Sequence, residues 1–195
     1  DIWMIFIPEL LLNLTTMHNL IIDTPLGEIN FFVFGVAPGV QVQLDEVSLS
    51  PRLPAGMLLD NCLGILLQIN CREPVEDLIF ECRLRGHKYD SCSYEGGQHL
   101  FAMSWENAQT QLMIGTEDEE SLNARLPEDQ KYEFCPLGHD EKGISLTLPD
   151  LEKESRCSFH FIVAWQDFPA ADSGACWYAV DVRHADLWKE KGSPG

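Results

Sequence analysis

The chain has 195 residues, of which 45% are hydrophobic and 10% aromatic, so it can form one domain with a full apolar core. Its 31 acidic and 13 basic residues give a formal net charge of -18 at pH 7. A field of that sign repels nucleic-acid phosphates and anionic membrane surfaces, so we expect neither as a partner. It speeds encounter with a basic protein, because complementary potentials raise association rates.

The chain opens with an apolar segment, DIWMIFIPELLLNLTT, which carries no lysine or arginine and is interrupted by Pro8 and Glu9. It is too short for a spanning helix and lacks the positive start of a secretory signal. We expect residues 1–16 to be an added or upstream-translated leader, with an edge strand or a docking segment as the alternative. Residues 17–195 are predicted to form a single β-rich domain, in which a subdomain break would fall near 115–130.

Most of the predicted strands of the first half alternate apolar and polar residues with a period of two, whereas the strand at 64–70 is predicted to be buried because it lies in one of the most apolar runs of the chain, 57–69. They cover residues 18–23, 28–34, 40–44, 64–70 and 77–85. After residue 44 the apolar phase shifts by one position, which predicts a β-bulge near residues 45–46. The stretch 86–97, which contains three glycines, is predicted to be a loop.

The second half continues the same pattern, with strands predicted at 98–105, 109–114, 144–148, 156–165 and 176–183. The last two are expected to pair with each other. Residues 117–125 are predicted to form a helix with Thr116 as its N-cap, and residues 184–191 a second helix. Many short strands with glycine and proline turns predict a mainly β fold, either an antiparallel β-sandwich or a curved β-sheet, with one or two short helices.

Seven cysteines occur without any C-x-x-C pair. An odd number in a chain of this length is not typical of a disulfide framework. Several lie in apolar runs, where a free thiol packs as a small hydrophobic group. The cysteines are therefore predicted to be reduced, which favours a cytoplasmic location.

The sequence has no phosphate-binding loop, HExxH, EF-hand loop or GxSxG, so no cofactor is predicted. The candidate zinc ligands Cys82, His87, Cys92 and His139 converge only if the fold is assumed, and Cys82 falls on an inward-facing position. Cys135 and His139 lack a third group to orient a nucleophile and base. No metal site and no catalytic residue are predicted.

His160 occupies the opposite phase of its strand from Phe159 and Phe161. We expect this side chain on the sheet surface or in a satisfied contact.

The feature that folding explains least is the segment 115–133, which contains seven acidic residues and only two basic ones. A capped helix explains part of this charge, and a basic partner protein would explain more. The leading hypothesis is therefore a protein-binding module with Trp188, or an aromatic residue of the loop 165–168, as its anchor. The acidic residues predicted to contact the partner are Glu117, Asp118, Glu119, Glu120, Glu128 and Asp129.

Small, acidic, mainly β chains without motifs resemble, in bulk composition only, the bacterial immunity proteins that neutralise toxin enzymes. The concrete hypothesis is thus an immunity-like inhibitor of a basic partner, such as a toxin enzyme.

Two alternatives remain. One is a hydrolase or carbohydrate-binding sandwich, with Asp167, Asp172 and Asp181 near Trp165 and Trp177. The other is a structural module that forms a homo-oligomer through the leader or an edge strand.

Overall fold

A computed structural model describes residues 19–86, 88–97, 99–167 and 174–192. The expectations for the leader, His87 and Asp172 fall outside these residues. Within them, eleven strands form two antiparallel sheets, so the predicted mainly β fold is confirmed. Three short α-helices accompany the sheets: α1 (Glu119–Arg125), α2 (Ala175–Val180) and α3 (His184–Gly192).

The first sheet has five strands in the order β1-β2-β5-β10-β9. Their bounds are β1 Asn19–Thr24, β2 Gly27–Phe34, β5 Ile79–Arg85, β9 Leu137–Asp140 and β10 Gly143–Thr147. The second sheet has six strands in the order β3-β4-β11-β8-β7-β6. Their bounds are β3 Val40–Ser48, β4 Asn61–Cys71, β6 Ser91–Gly97, β7 Leu100–Glu106, β8 Thr110–Glu117 and β11 Arg156–Asp167.

The sandwich core lies between the inner faces of the two sheets. Phe80 of the first sheet contacts Phe161 of the second, with ring centroids 4.7 Å apart, and Phe31 lies 6.0 Å from the same ring. All three rings are fully buried. Large apolar rings that interdigitate in this way supply much of the burial that stabilises two packed sheets.

A second apolar cluster lies on the outer face of the second sheet, where α2 and α3 cover it. It includes Leu66, Ile162, Val180 and Leu187. Because strands β4 and β11 are covered on both faces, they are almost continuously apolar instead of alternating. A Cβ at Gly64 would overlap the Leu187 side chain, so the missing side chain lets α3 lie close against β4.

The predicted strand at 176–183 is wrong, because residues 175–180 form helix α2. Cys176, Ala179 and Val180 are buried at helical spacing and face the outer cluster. Strand β11 pairs instead with β4 and β8.

The predicted bulge is also wrong, because β3 pairs with β4 without interruption from Val40 to Ser48. Val42 faces the sandwich core and Val47 faces the outer cluster. The shift in apolar phase therefore reflects two buried faces.

Two further expectations need correction. The predicted loop at 86–97 contains strand β6, an edge strand whose side chains are mostly exposed, so it lacks the apolar alternation that reveals a strand. Helix α1 begins at Glu119, with Asp118 and not Thr116 as its N-cap, and Glu117 still belongs to β8. Among the described residues, no helix has the length and apolarity needed to cross a bilayer.

Candidate functional site

A cleft of about 1330 Å³ opens beside the helix layer. Its walls come from the end of β8, from α1, from α2 and α3 with the turn between them, and from the loop after β3. The pairing of β8 with β11 ends at Gly115 and Ile162, and β8 itself ends two residues later at Glu117, before the chain turns into α1. Polar side chains at this end of the sheet are thereby placed next to the first turn of α3.

Glu117 and His184 line this cleft, and they meet His160 just beneath its floor. Glu117 ends β8, His160 lies near the middle of β11, and His184 is the first residue of α3. The Nδ1 atoms of the two imidazoles lie 2.9 Å apart, and Glu117 Oε2 lies 3.8 Å from His160 Nδ1. His160 is only 1% exposed. The predicted satisfied contact for His160 is confirmed, and the surface position is wrong.

The hydrogen bonds of the two rings assign their tautomers. The indole Nε1 of Trp188 can only donate, and it lies 3.0 Å from His184 Nε2, which is therefore an acceptor. The neutral His184 ring then carries its proton on Nδ1 and donates to His160 Nδ1. His160 carries its own proton on Nε2, which faces the carbonyl oxygen of Val182 at 3.2 Å. Because a carbonyl oxygen can only accept, this contact requires the same tautomers as the Trp188 contact at the other end of the hydrogen-bond network.

Burial keeps both imidazoles neutral. It lowers the pKa of His160 to about 3, with a further contribution from the charge of Arg125 that the Val182 carbonyl partly offsets. Burial, then Arg125, also lowers the pKa of His184 to about 3. At neutral pH each ring therefore keeps one unprotonated nitrogen, whose lone pair can accept a hydrogen bond.

Arg125 holds the carboxylate of this cluster. Its Nε donates to Glu117 Oε2 at 2.8 Å, and its Nη1 donates to the carbonyl oxygen of Ser158 at 2.9 Å. The guanidinium also lies over the Phe159 ring, 5.1 Å from its centroid. These contacts tie the last turn of α1 to β8 and β11, and they orient Glu117 towards the histidines.

Ser158 Oγ lies 2.7 Å from His184 Nε2, a distance that suits a nucleophile and its base. Two observations oppose a catalytic role. Ser158 is not part of the cleft lining, and Trp188 donates to the same nitrogen of His184. The contact therefore serves to orient His184.

The structure brings together three of the seven residues predicted to bind a partner. Glu117, Glu120 and Trp188 all line the cleft. The four others lie outside the cleft lining. Asp118 caps α1 by accepting from the Ser121 amide at 2.9 Å, and Glu119 is half-buried in the first turn. Glu128 and Asp129 are exposed in the short 3-10 turn Glu128–Gln130, where Glu128 pairs with Lys131.

Of the remaining candidates, those that the structure describes do not converge. Cys82 is fully buried in the sandwich core, whereas Cys92 and Cys135 are exposed. His139 stacks on the Tyr94 ring, with centroids 4.9 Å apart.

The aromatic surface required by the hydrolase alternative is not formed by Trp165 and Trp177. Trp165 packs on the sandwich core, and Trp177 packs on the outer cluster. The two rings therefore belong to different apolar clusters on opposite faces of the second sheet.

Comparisons with protein families, with curated proteins and with solved structures found no match for this chain. The fold and the cleft define an antiparallel two-sheet sandwich with a helix layer on one outer face.

Proposed function

We propose that this chain is an acidic protein-binding module that inhibits a basic partner, such as a toxin enzyme, by receiving a basic segment in the cleft. The observation that carries this proposal is the meeting of Glu117, Glu120 and Trp188 in one concave surface. The acids supply charge complementarity, and the indole supplies a large, rigid contact surface.

The exposed aromatic and acidic side chains that line the cleft can bind the arginine or lysine side chains of a partner. Tyr178 and Trp188 line the cleft and are 44% and 38% exposed. The exposed carboxylates Glu120, Asp181 and Glu190 line the same cleft. An aromatic face beside a carboxylate binds a guanidinium by stacking and by ion pairing together.

The cleft lining alone is close to charge balance, with five carboxylates and four cationic side chains. Two of the cations are already paired: Arg125 with Glu117, and Lys189 with Asp186. Long-range attraction must therefore come from the whole surface, whose net charge is -18. In this proposal the cleft supplies the anchor and the specific pairs.

Free thiols support the cytoplasm as the place where this function operates. All seven cysteines are unpaired, and no two of them form a disulfide. Thiols persist in this form in a reducing compartment.

Capture from a lysate of the source cells at low and at moderate salt, with mass spectrometry of the bound proteins, identifies the partner. The rates of association with the purified partner, and of dissociation from it, are then measured. We expect the double variant E120Q/E190Q to slow association and to flatten its salt dependence. We expect Trp188→Ala to speed dissociation.

The matched control is D150N/E152Q, which removes the same two charges from exposed positions outside the cleft. Equal effects of the two double variants would show that only net charge matters and would contradict docking in the cleft. If the partner kept its full activity at concentrations of this chain that saturate binding, inhibition would be contradicted.

A further inference from the structure

The buried cluster under the cleft has the composition and spacing of a metal site. Two imidazole nitrogens and one carboxylate oxygen, from Glu117, His160 and His184, all lie within 4.8 Å of one another. Zinc binds nitrogen and oxygen at about 2.0–2.2 Å, which separates neighbouring ligand atoms by roughly 3.3 Å. The observed separations of 2.9 Å and 3.8 Å lie on either side of that value.

We propose that Glu117, His160 and His184 form a binding site for a divalent transition-metal ion, with zinc as the best-matched occupant. Three protein ligands leave a fourth position for water or for a partner side chain. Glu117 and His184 line the cleft, so an ion has an entry path to the site.

The groups around the ligands are those that a metal-binding histidine needs. A ligating imidazole usually donates its other N–H to a carbonyl or carboxylate, which fixes the ring and its tautomer. His160 meets this condition in the described structure, because its Nε2–H faces the Val182 carbonyl. Its Nδ1 is therefore unprotonated, and its lone pair, which accepts from His184 Nδ1–H in this structure, is the one that would bind the ion. Arg125 fixes the carboxylate of Glu117 in the same way.

His184 needs one internal change. Its proton moves from Nδ1 to Nε2, so that Nδ1 can bind the ion and Nε2–H can donate to Ser158 Oγ, which lies 2.7 Å away. The ring stays neutral, so this change requires no net proton release. Trp188 loses its acceptor in the process. Metal binding should therefore alter the environment of an indole that lies at the cleft surface.

A second group of ligand-capable side chains, His99, Asp118 and Glu120, provides an internal control. His99 and Glu120 are exposed, and the Asp118 carboxylate already caps α1. The exposed thiols of Cys92 and Cys135 are a further place where zinc could bind adventitiously.

The test uses the full chain, stripped with a chelator that is then removed, and it needs no partner protein. Co²⁺ is titrated as a spectroscopic probe and is then displaced by Zn²⁺. We expect one equivalent of cobalt with d–d absorption, and no near-ultraviolet thiolate band. Glu117→Gln and His184→Gln should each weaken binding at least tenfold, whereas Glu120→Gln and C92S/C135S should bind as the wild type does.

Three results would overturn the proposal: no binding by the wild type, unchanged binding in both ligand variants, or a thiolate band that disappears in C92S/C135S. Should His184→Gln fail to fold, imidazole NMR of the wild type decides. Zinc must then shift the Nδ1 resonances of both His160 and His184, and unchanged resonances contradict the site. Failure here leaves the docking proposal intact, since E120Q/E190Q removes none of the three ligands.

Discussion

Trp188 and His184 lie one turn apart on α3, and the indole N–H of the first donates to Nε2 of the second at 3.0 Å. His184 in turn donates to His160, which is fully enclosed by the second sheet and the helix layer. The side chain proposed to anchor a partner is thus linked by hydrogen bonds to the proposed metal ligands. Occupation of the metal site and contact at Trp188 are therefore expected to influence each other.

His184→Ala is expected to lower the free energy of unfolding by about 1–3 kcal/mol, because it leaves buried His160 without its donor. Trp188→Phe removes one donor at a partly exposed position and should cost clearly less. Urea unfolding in the presence of a chelator measures both. Equal losses in the two variants would contradict a buried network centred on the histidine pair.

Gly64→Ala tests how α3 is seated on the second sheet. The added methyl group would overlap the side chain of fully buried Leu187, and overpacking of this kind costs about 1–3 kcal/mol. Leu187→Ala alone should cost about 2–5 kcal/mol, because it leaves a cavity. In the double variant the new methyl group fills part of that cavity, so the combined loss should be smaller than the sum.

Gly192→Ala is the control for this cycle, because a Cβ there meets nothing within 4 Å. Thermal or urea unfolding of the wild type, the two single variants, the double variant and this control measures the losses of unfolding free energy. Strict additivity between Gly64→Ala and Leu187→Ala would show that the two side chains do not compete for the same space.

The sandwich was predictable because its strands alternate wherever one face is buried and the other is exposed. In β5, for example, Phe80, Cys82 and Leu84 point inward between more exposed neighbours. The helix layer was not predictable in this way. A strand whose outer face is covered by helices is apolar on both faces, so the apolar phase that resumes at Val47 predicts a bulge near residues 45–46 that the structure does not contain. The sequence of α2 predicts a strand, because a helix of six residues contains too few turns to establish a helical period.

Thiol reactivity should divide the cysteines into two classes. Burial raises the pKa of four thiols to about 12, so almost no thiolate is present at pH 8: Cys62, Cys82, Cys157 and Cys176. Burial also raises the pKa of Cys71. Cys92 and Cys135 are exposed and should react first.

Labelling with a disulfide reagent at pH 8, followed by mass spectrometry, should therefore show two fast sites among the seven cysteines. The variant C92S/C135S should lose the fast phase without a change in its unfolding midpoint. Fast labelling of Cys176 would contradict the position of α2 against the sheet.

The candidate site was largely hidden from the sequence. His160 and His184 stand 24 positions apart, and only the return of α3 across the sheet brings them together. One signal was available, because Ile162 and Ala164 share the outward phase of His160 on β11. Apolar neighbours on that face indicate a covered surface, and a histidine among them must then find a buried partner.

Lys191 fastens the end of α3 to β3, and this contact predicts a pH-dependent loss of stability. Its Nζ lies 2.7 Å from Asp45 Oδ2, which also accepts from Gln68 at 2.6 Å. Burial tends to raise the pKa of Asp45, but hydrogen bonds from Lys191 and Gln43 outweigh it and hold the pKa below its usual value of 3.8. A carboxylate whose pKa is lower in the folded than in the unfolded chain stabilises the fold at pH values above the unfolded pKa. This contribution is lost as the pH falls through the folded pKa.

Lys191→Met should therefore lower the free energy of unfolding by about 1 kcal/mol at pH 7, since both partners are roughly three-quarters covered. The difference from the wild type should begin to shrink as the pH falls below 3.8, the ordinary pKa at which the unfolded chains take up a proton, and should shrink further towards the lowered pKa of the folded wild type. Lys189→Met is the matched control, because the Lys189–Asp186 pair on the same helix is largely exposed and should contribute little. Urea unfolding at pH 7, 5 and 3.5 measures both differences. A loss for Lys191→Met that stays constant down to pH 3.5 would show that packing of the lysine stem, and not its bond to Asp45, holds the helix end in place.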